Sequence, residues 1–134
     1  MEVTIEHLGE VQFEATARGH KVVCDQPSGN GGFNEGMTPP ELLLASLGTC
    51  AGYYAVEYLK SRSLPIQDLR VRVVAEKAKN PARLGSFVIE VDAKLDNLDA
   101  NRDGLHRAVE KCLIHNTLLN APRIQVEIGA PVLA

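Results

Sequence analysis

The sequence predicts an α+β protein, a single domain over residues 1–134 whose antiparallel sheets wrap a buried central helix in the order β-β-β-α-β-β-α-β. Three observations lead there. Apolar residues alternate with period two through the first quarter of the chain and again in two later stretches. Between Leu42 and Val56 the only polar side chains are Ser46, Thr49, Tyr53 and Tyr54, a run opened by a helix-start signal. A stripe at helical spacing follows beyond residue 101. With 134 residues, 45% hydrophobic and 23% charged, the chain has the size and makeup of one globular domain.

The first strands are read from alternation. Val3 and Ile5 alternate with Glu2, Thr4 and Glu6; after a turn at Gly9, Val11, Phe13, Ala15 and Ala17 alternate with Gln12, Glu14, Thr16 and Arg18. A short third strand, Lys21 to Cys24, follows Gly19. Such patterns bury one sheet face and leave the other wet. The loop from Gln26 to Gly36 carries four glycines but no lysine and no phosphate-binding spacing. It reads as a mobile surface connection.

Thr38-Pro39-Pro40-Glu41 is a capping box with proline at the first helical position. The helix it opens is expected to reach Lys60 or Arg62, with Pro65 barring continuation. Being apolar on nearly every side, it should be buried on nearly every side, which in so small a chain calls for wrapping by sheet and by a second subunit. Leu69, Val71, Val73 and Ala75, then Phe87, Ile89, Val91, Ala93 and Leu95, form two strands joined through Asn80-Pro81. A second helix starts near Asn101 with its stripe at Leu105, Ala108, Val109, Cys112 and Leu113, and breaks or continues through His115 to Leu119. Ile124, Val126 and Ile128 predict a last strand.

Composition narrows the function. Net charge is −3, from 14 basic and 17 acidic residues without a long basic run, so neither nucleic acid nor an anionic membrane is expected as a partner. The longest uncharged stretch is too short for a span of about 20 residues. The opening MEVTIEHLGE has no basic n-region or apolar h-region, so no signal peptide is expected. Three cysteines are too few for a secreted disulfide framework, and a cytoplasmic protein with reduced thiols is expected.

Cys50 and Cys112 carry the chemistry that remains. Each fits its helix as a small core residue, and each gains interest only if a second thiol can reach it. Cys112-x-x-His115 has the spacing of two metal ligands, but no second close pair accompanies it, so no metal and no other cofactor is expected. His20 and the other histidines read as surface or strand-end residues, and Cys24 as structural.

The segment Gly36-Met-Thr-Pro-Pro-Glu-Leu-Leu-Leu-Ala-Ser-Leu-Gly-Thr-Cys50 resembles the central-helix motif of the OsmC/Ohr family of hydroperoxide reductases. Lys111-Cys112-Leu113-Ile114-His115 resembles the helix that carries the family's partner cysteine. The resemblance implies the family's fold, an intertwined homodimer and a thiol peroxidase. Cys50 would attack an organic or fatty-acid hydroperoxide, Cys112 would resolve the sulfenic acid as a disulfide, and an external dithiol would reduce it. It also implies an activating arginine from the N-terminal strands. Arg18 is the candidate, with a solvated strand residue as its other reading and His20 as a lower-ranked substitute. The glutamate that braces this arginine in Ohr-type chains falls at Pro40 here, while Glu41 has a capping role. The PxELLL form resembles the broader OsmC-like branch. The other function class left open is a non-enzymatic OsmC-like binding or stress-response protein with structural cysteines.

Overall fold

The structure is a computed structural model and describes residues 1–129. Strands β1 (Thr4–Gly9), β2 (Gln12–Ala17) and β3 (His20–Cys24) form an antiparallel sheet in that order. β2 and β3 are joined by Arg18-Gly19, both at positive φ (52° and 82°), the two-residue turn whose twist suits a tight hairpin. Ile5 and Val22 both pair with Ala15, and Cys24 pairs with Phe13. Directly opposed residues share a face, so one side of the sheet is apolar and the other carries Glu6, Glu14 and Lys21, as the alternation predicts. The apolar side is uncovered: Ile5 and Val22 are 57% and 44% exposed. The elements that pack on the central helix are β4, β5, α2 and α3, not this sheet.

The glycine-rich loop is built, which corrects its reading as a mobile connection. Asp25 is fully buried at the end of β3. Its Oδ2 accepts from Gln12 Nε2 (3.0 Å) and from the N–H groups of Phe33 and Glu35 (both 3.1 Å), and its Oδ1 from the Gln26 N–H (2.8 Å). Burial opposes the charge, but these donors outweigh it and hold the Asp25 carboxyl below the usual carboxylate range. A Cβ at Gly32 would run into the Gln26 carbonyl and sit 2.6 Å from Asp25 Oδ1, so only glycine lets the loop close on the carboxylate.

α1 spans Pro39–Ser61 and begins with the predicted capping box. The Thr38 N–H donates to Glu41 Oε1 (2.9 Å), and the Glu41 N–H donates back to Thr38 Oγ1 (3.4 Å). Leu47, Ala51, Ala55 and Leu59, four apart, make one buried stripe. Burial on every side does not hold within one chain: Thr49, Tyr53 and Glu57, on another face, are exposed.

β4 (Arg70–Ala78) and β5 (Arg83–Asp92) form a second antiparallel sheet, the hairpin turning through Asn80-Pro81. Val71 pairs with Val91 and Val73 with Ile89, and Val71, Ile89 and Val91 pack against the α1 core. At Gly48 a Cβ would stand 3.0 Å from Val73 Cγ2, so the missing side chain lets β4 lie close to the helix.

The C-terminal third departs most from expectation. The second helical segment starts at Leu98, earlier than Asn101, and breaks into α2 (Leu98–Val109) and α3 (Leu113–Leu119). Cys112 therefore does not continue the α2 stripe; it caps α3. The last strand predicted at Ile124–Ile128 is not formed. Residues 121–129 pair with no strand among the described residues, and Ile124, Val126 and Ile128 are 81%, 78% and 95% exposed. Alternation makes a segment ready to pair, but a strand exists only where an edge accepts its N–H and C=O groups.

Candidate functional site

Two helices bring the cysteines together. α1 carries Cys50 one residue before buried Ala51, so the thiol sits at the margin of the buried stripe, half-buried. Cys112, at the α2–α3 break, is fully buried with 0% exposure. α2 and α3 both pack on α1, and Cys50 lies near enough to Cys112 to push its thiol up. Both thiols are free.

The environment of Cys112 is the more strongly built. At the N-cap of α3, its sulfur accepts the His115 N–H at 3.3 Å. Burial, and next the Cys50 sulfur to which it can donate, push the Cys112 thiol up. The N–H groups of His115 and Ile114 pull the other way, while negative charge on Cys50 adds to the rise. Burial and the nearby Cys50 thus favour the protonated form of Cys112.

Between α1, β5 and α3 lies an apolar cavity of about 620 Å³ lined by Leu43, Leu47, Phe87, Ile89, Leu118 and Leu119 among others. Neither cysteine lines it, but Leu47 is one helical turn before Cys50. His115 also borders it.

Arg18 is not a strand residue but the first residue of the β2–β3 turn, and it is exposed. Its sheet does not pack on α1, so a single chain does not bring it to Cys50. His20, the first residue of β3, is likewise exposed. Cys24 joins Met37 through an isolated parallel bridge at the base of the loop. Glu41 is held by Thr38, whose N–H and hydroxyl keep its carboxyl below the usual range. Sequence reading missed the two N–H donors on Cys112, which depend on the helix break. It also missed the Asp25 hub, whose only signal is an aspartate beside clustered glycines.

A family model described as OsmC-like protein matches residues 32–127, which include both cysteines and both motifs. The chain belongs to the OsmC-like family. Solved structures agree in fold. An OsmC-like protein from Mycoplasma pneumoniae is 18% identical with a TM-score of 0.70, over 90% of this chain and 87% of that one. A Psychrobacter arcticus protein named for osmotic stress induction and detoxification response is 18% identical with a TM-score of 0.75, over 86% and 85%. An organic hydroperoxide resistance protein OsmC from Legionella pneumophila is 17% identical with a TM-score of 0.61, over 88% and 89%. No curated protein matches the sequence. Identities this low establish the shared OsmC-like architecture, which the antiparallel sheets and the long central helix of this chain display. No helix among the described residues is long and apolar enough to cross a membrane.

Proposed function

We propose that this OsmC-like chain is a thiol-dependent peroxidase that reduces organic hydroperoxides, those of fatty acids among them. The nearness of half-buried Cys50 to fully buried Cys112 carries the reading. The Cys50 thiolate attacks the terminal peroxide oxygen, the O–O bond breaks, and the alcohol leaves with a proton. Cys50 is then a sulfenic acid. The Cys112 sulfur attacks the Cys50 sulfur, and water leaves with the Cys112 proton and the sulfenic hydroxyl. An external dithiol reduces the resulting disulfide, itself becoming oxidised. The protonated form of Cys112 suits the resolving role, and the apolar cavity suits an alkyl or acyl chain. No cofactor enters the cycle.

The working unit is a homodimer in the cytoplasm. One copy leaves an apolar sheet face and a flank of α1 uncovered, and a second copy of the same chain supplies both complements. In that arrangement Arg18 of the partner subunit reaches Cys50 and favours its thiolate.

The test is consumption of an organic hydroperoxide with a dithiol, comparing wild type, Cys50→Ser and Cys112→Ser. Turnover vanishes in the Cys50 variant, and over-oxidised Cys50 accumulates in the Cys112 variant. Absence of turnover in the wild type would replace this reading with that of a non-enzymatic binding or stress-response protein. Pro40 at the bracing-glutamate position and the capping role of Glu41 favour that alternative.

A further inference from the structure

The two sulfurs of the pair differ in ways that the peroxidase reading does not use. Cys112 is fully buried, whereas Cys50 is only half-buried. Thiol–disulfide exchange proceeds by in-line attack, so the incoming thiolate must approach one sulfur from the side opposite the other. Cys112 has no exposed surface, and the first turn of α3 lies against its sulfur, whose Sγ accepts the His115 N–H. Cys50 keeps part of its surface exposed, so an incoming thiolate has access to the pair there.

We infer that the external dithiol attacks Cys50, and that Cys112 leaves as a thiolate received by the first turn of α3. This inference rests on the proposed redox pairing of the two cysteines and adds its direction. One thiolate of the dithiol bonds to the Cys50 sulfur while the Cys50–Cys112 bond breaks, and its electron pair stays on Cys112. The His115 N–H, already directed at Cys112 Sγ at 3.3 Å, meets that charge. Cys112 then takes a proton. The second thiol of the reductant attacks its own sulfur in the mixed disulfide, releasing Cys50 as thiolate and leaving the reductant as a disulfide. Two electrons pass from the dithiol to the protein disulfide, and the site is again ready for peroxide.

Burial opposes a charged Cys112. Two of the causes that raise its thiol, the hydrogen bond to Cys50 and charge on Cys50, depend on a free Cys50 and are absent while Cys50 is bonded to the reductant. The donors from α3 remain. Access decides the attacked sulfur, and the helix turn eases departure of the other.

The disulfide is best prepared with diamide, so that the result is independent of hydroperoxide turnover. A small monothiol, 2-mercaptoethanol, is added briefly, the reaction is quenched in acid, free thiols are alkylated and peptides are mapped. The adduct is expected on Cys50 with Cys112 alkylated, in about tenfold or greater excess over the reverse. Adduct mainly on Cys112, or equally on both, would overturn the inference while leaving the pairing intact. Failure of diamide to link Cys50 to Cys112 would overturn the pairing and the inference together. As a second measurement, the 2-mercaptoethanol adduct of Cys50 is made in Cys112→Ser and that of Cys112 in Cys50→Ser, and each is reduced with dithiothreitol. The Cys50 adduct is expected to be reduced about tenfold faster; equal rates would overturn the inference.

Discussion

Gly104 of α2 lies directly against the Tyr58 ring of α1, so close that a Cβ there would stand 2.6 Å from Cε2 and 2.7 Å from Cζ. The Tyr58 hydroxyl donates to Asn101 Oδ1 at 2.9 Å one turn earlier on α2, and the Arg62 guanidinium lies over the Tyr58 ring, 5.2 Å from its centroid. These contacts seat α2 on α1.

Gly104→Ala is expected to destabilise the protein by about 1–3 kcal/mol, because the added methyl must displace a ring that is also hydrogen-bonded. The measurement is the chemical-denaturation midpoint. Tyr58→Leu in the same chain should recover part of the Gly104→Ala loss, since the clash needs both groups. Strict additivity of the two changes would refute a steric cause.

The Asp25 hub gives an acid-side prediction. Its carboxyl is held low in the folded chain, so its contribution to stability is present above the ordinary unfolded value and is lost as pH falls through the folded one. Wild type should therefore lose stability in the acid range, below about pH 4. Asp25→Asn should lower stability at neutral pH and flatten that acid dependence. Amide exchange at Phe33 and Glu35, whose N–H groups donate to Asp25, should quicken in the variant; unchanged protection there would mean the loop closes without the carboxylate.

Removing the acceptor opposite Cys112 should shift its titration. In Cys50→Ala the hydrogen bond and the charge from Cys50 are both gone, while burial and the His115 and Ile114 donors stay. The Cys112 thiol should then titrate at lower pH than in wild type, read from the pH dependence of its alkylation. A titration unmoved by the substitution would mean that the two thiols do not interact.

The uncovered sheet face predicts assembly. The wild-type chain should run as a dimer in sedimentation, and Val22→Glu should shift it toward monomer by placing a charge on the apolar face. Lys21→Glu, on the opposite face of the same strand, should leave the dimer intact. Equal behaviour of the two variants would remove the sheet from the interface.

Much of this protein is set locally and is therefore legible in its sequence. The strand alternations at Ile5–Ala17 and Val71–Ala75 appear as predicted, because a two-residue period needs no distant partner to be recognised. The capping box at Thr38 and Glu41 works through groups three residues apart, so it fixes the start of α1 wherever that helix is packed. Motif resemblance singled out Cys50 and Cys112, and the family match agrees on the lineage. Tertiary structure decided the rest. The break before α3 turned Cys112 from a stripe residue into a buried cap, a change that depends on how α2 and α3 each seat on α1. Asp25 became a hub only because residues up to thirteen positions away return to it. Ile124, Val126 and Ile128 have the pattern of a strand and no strand partner among the described residues. Periodicity states which face of a segment avoids water; only the folded chain determines what, if anything, meets that face.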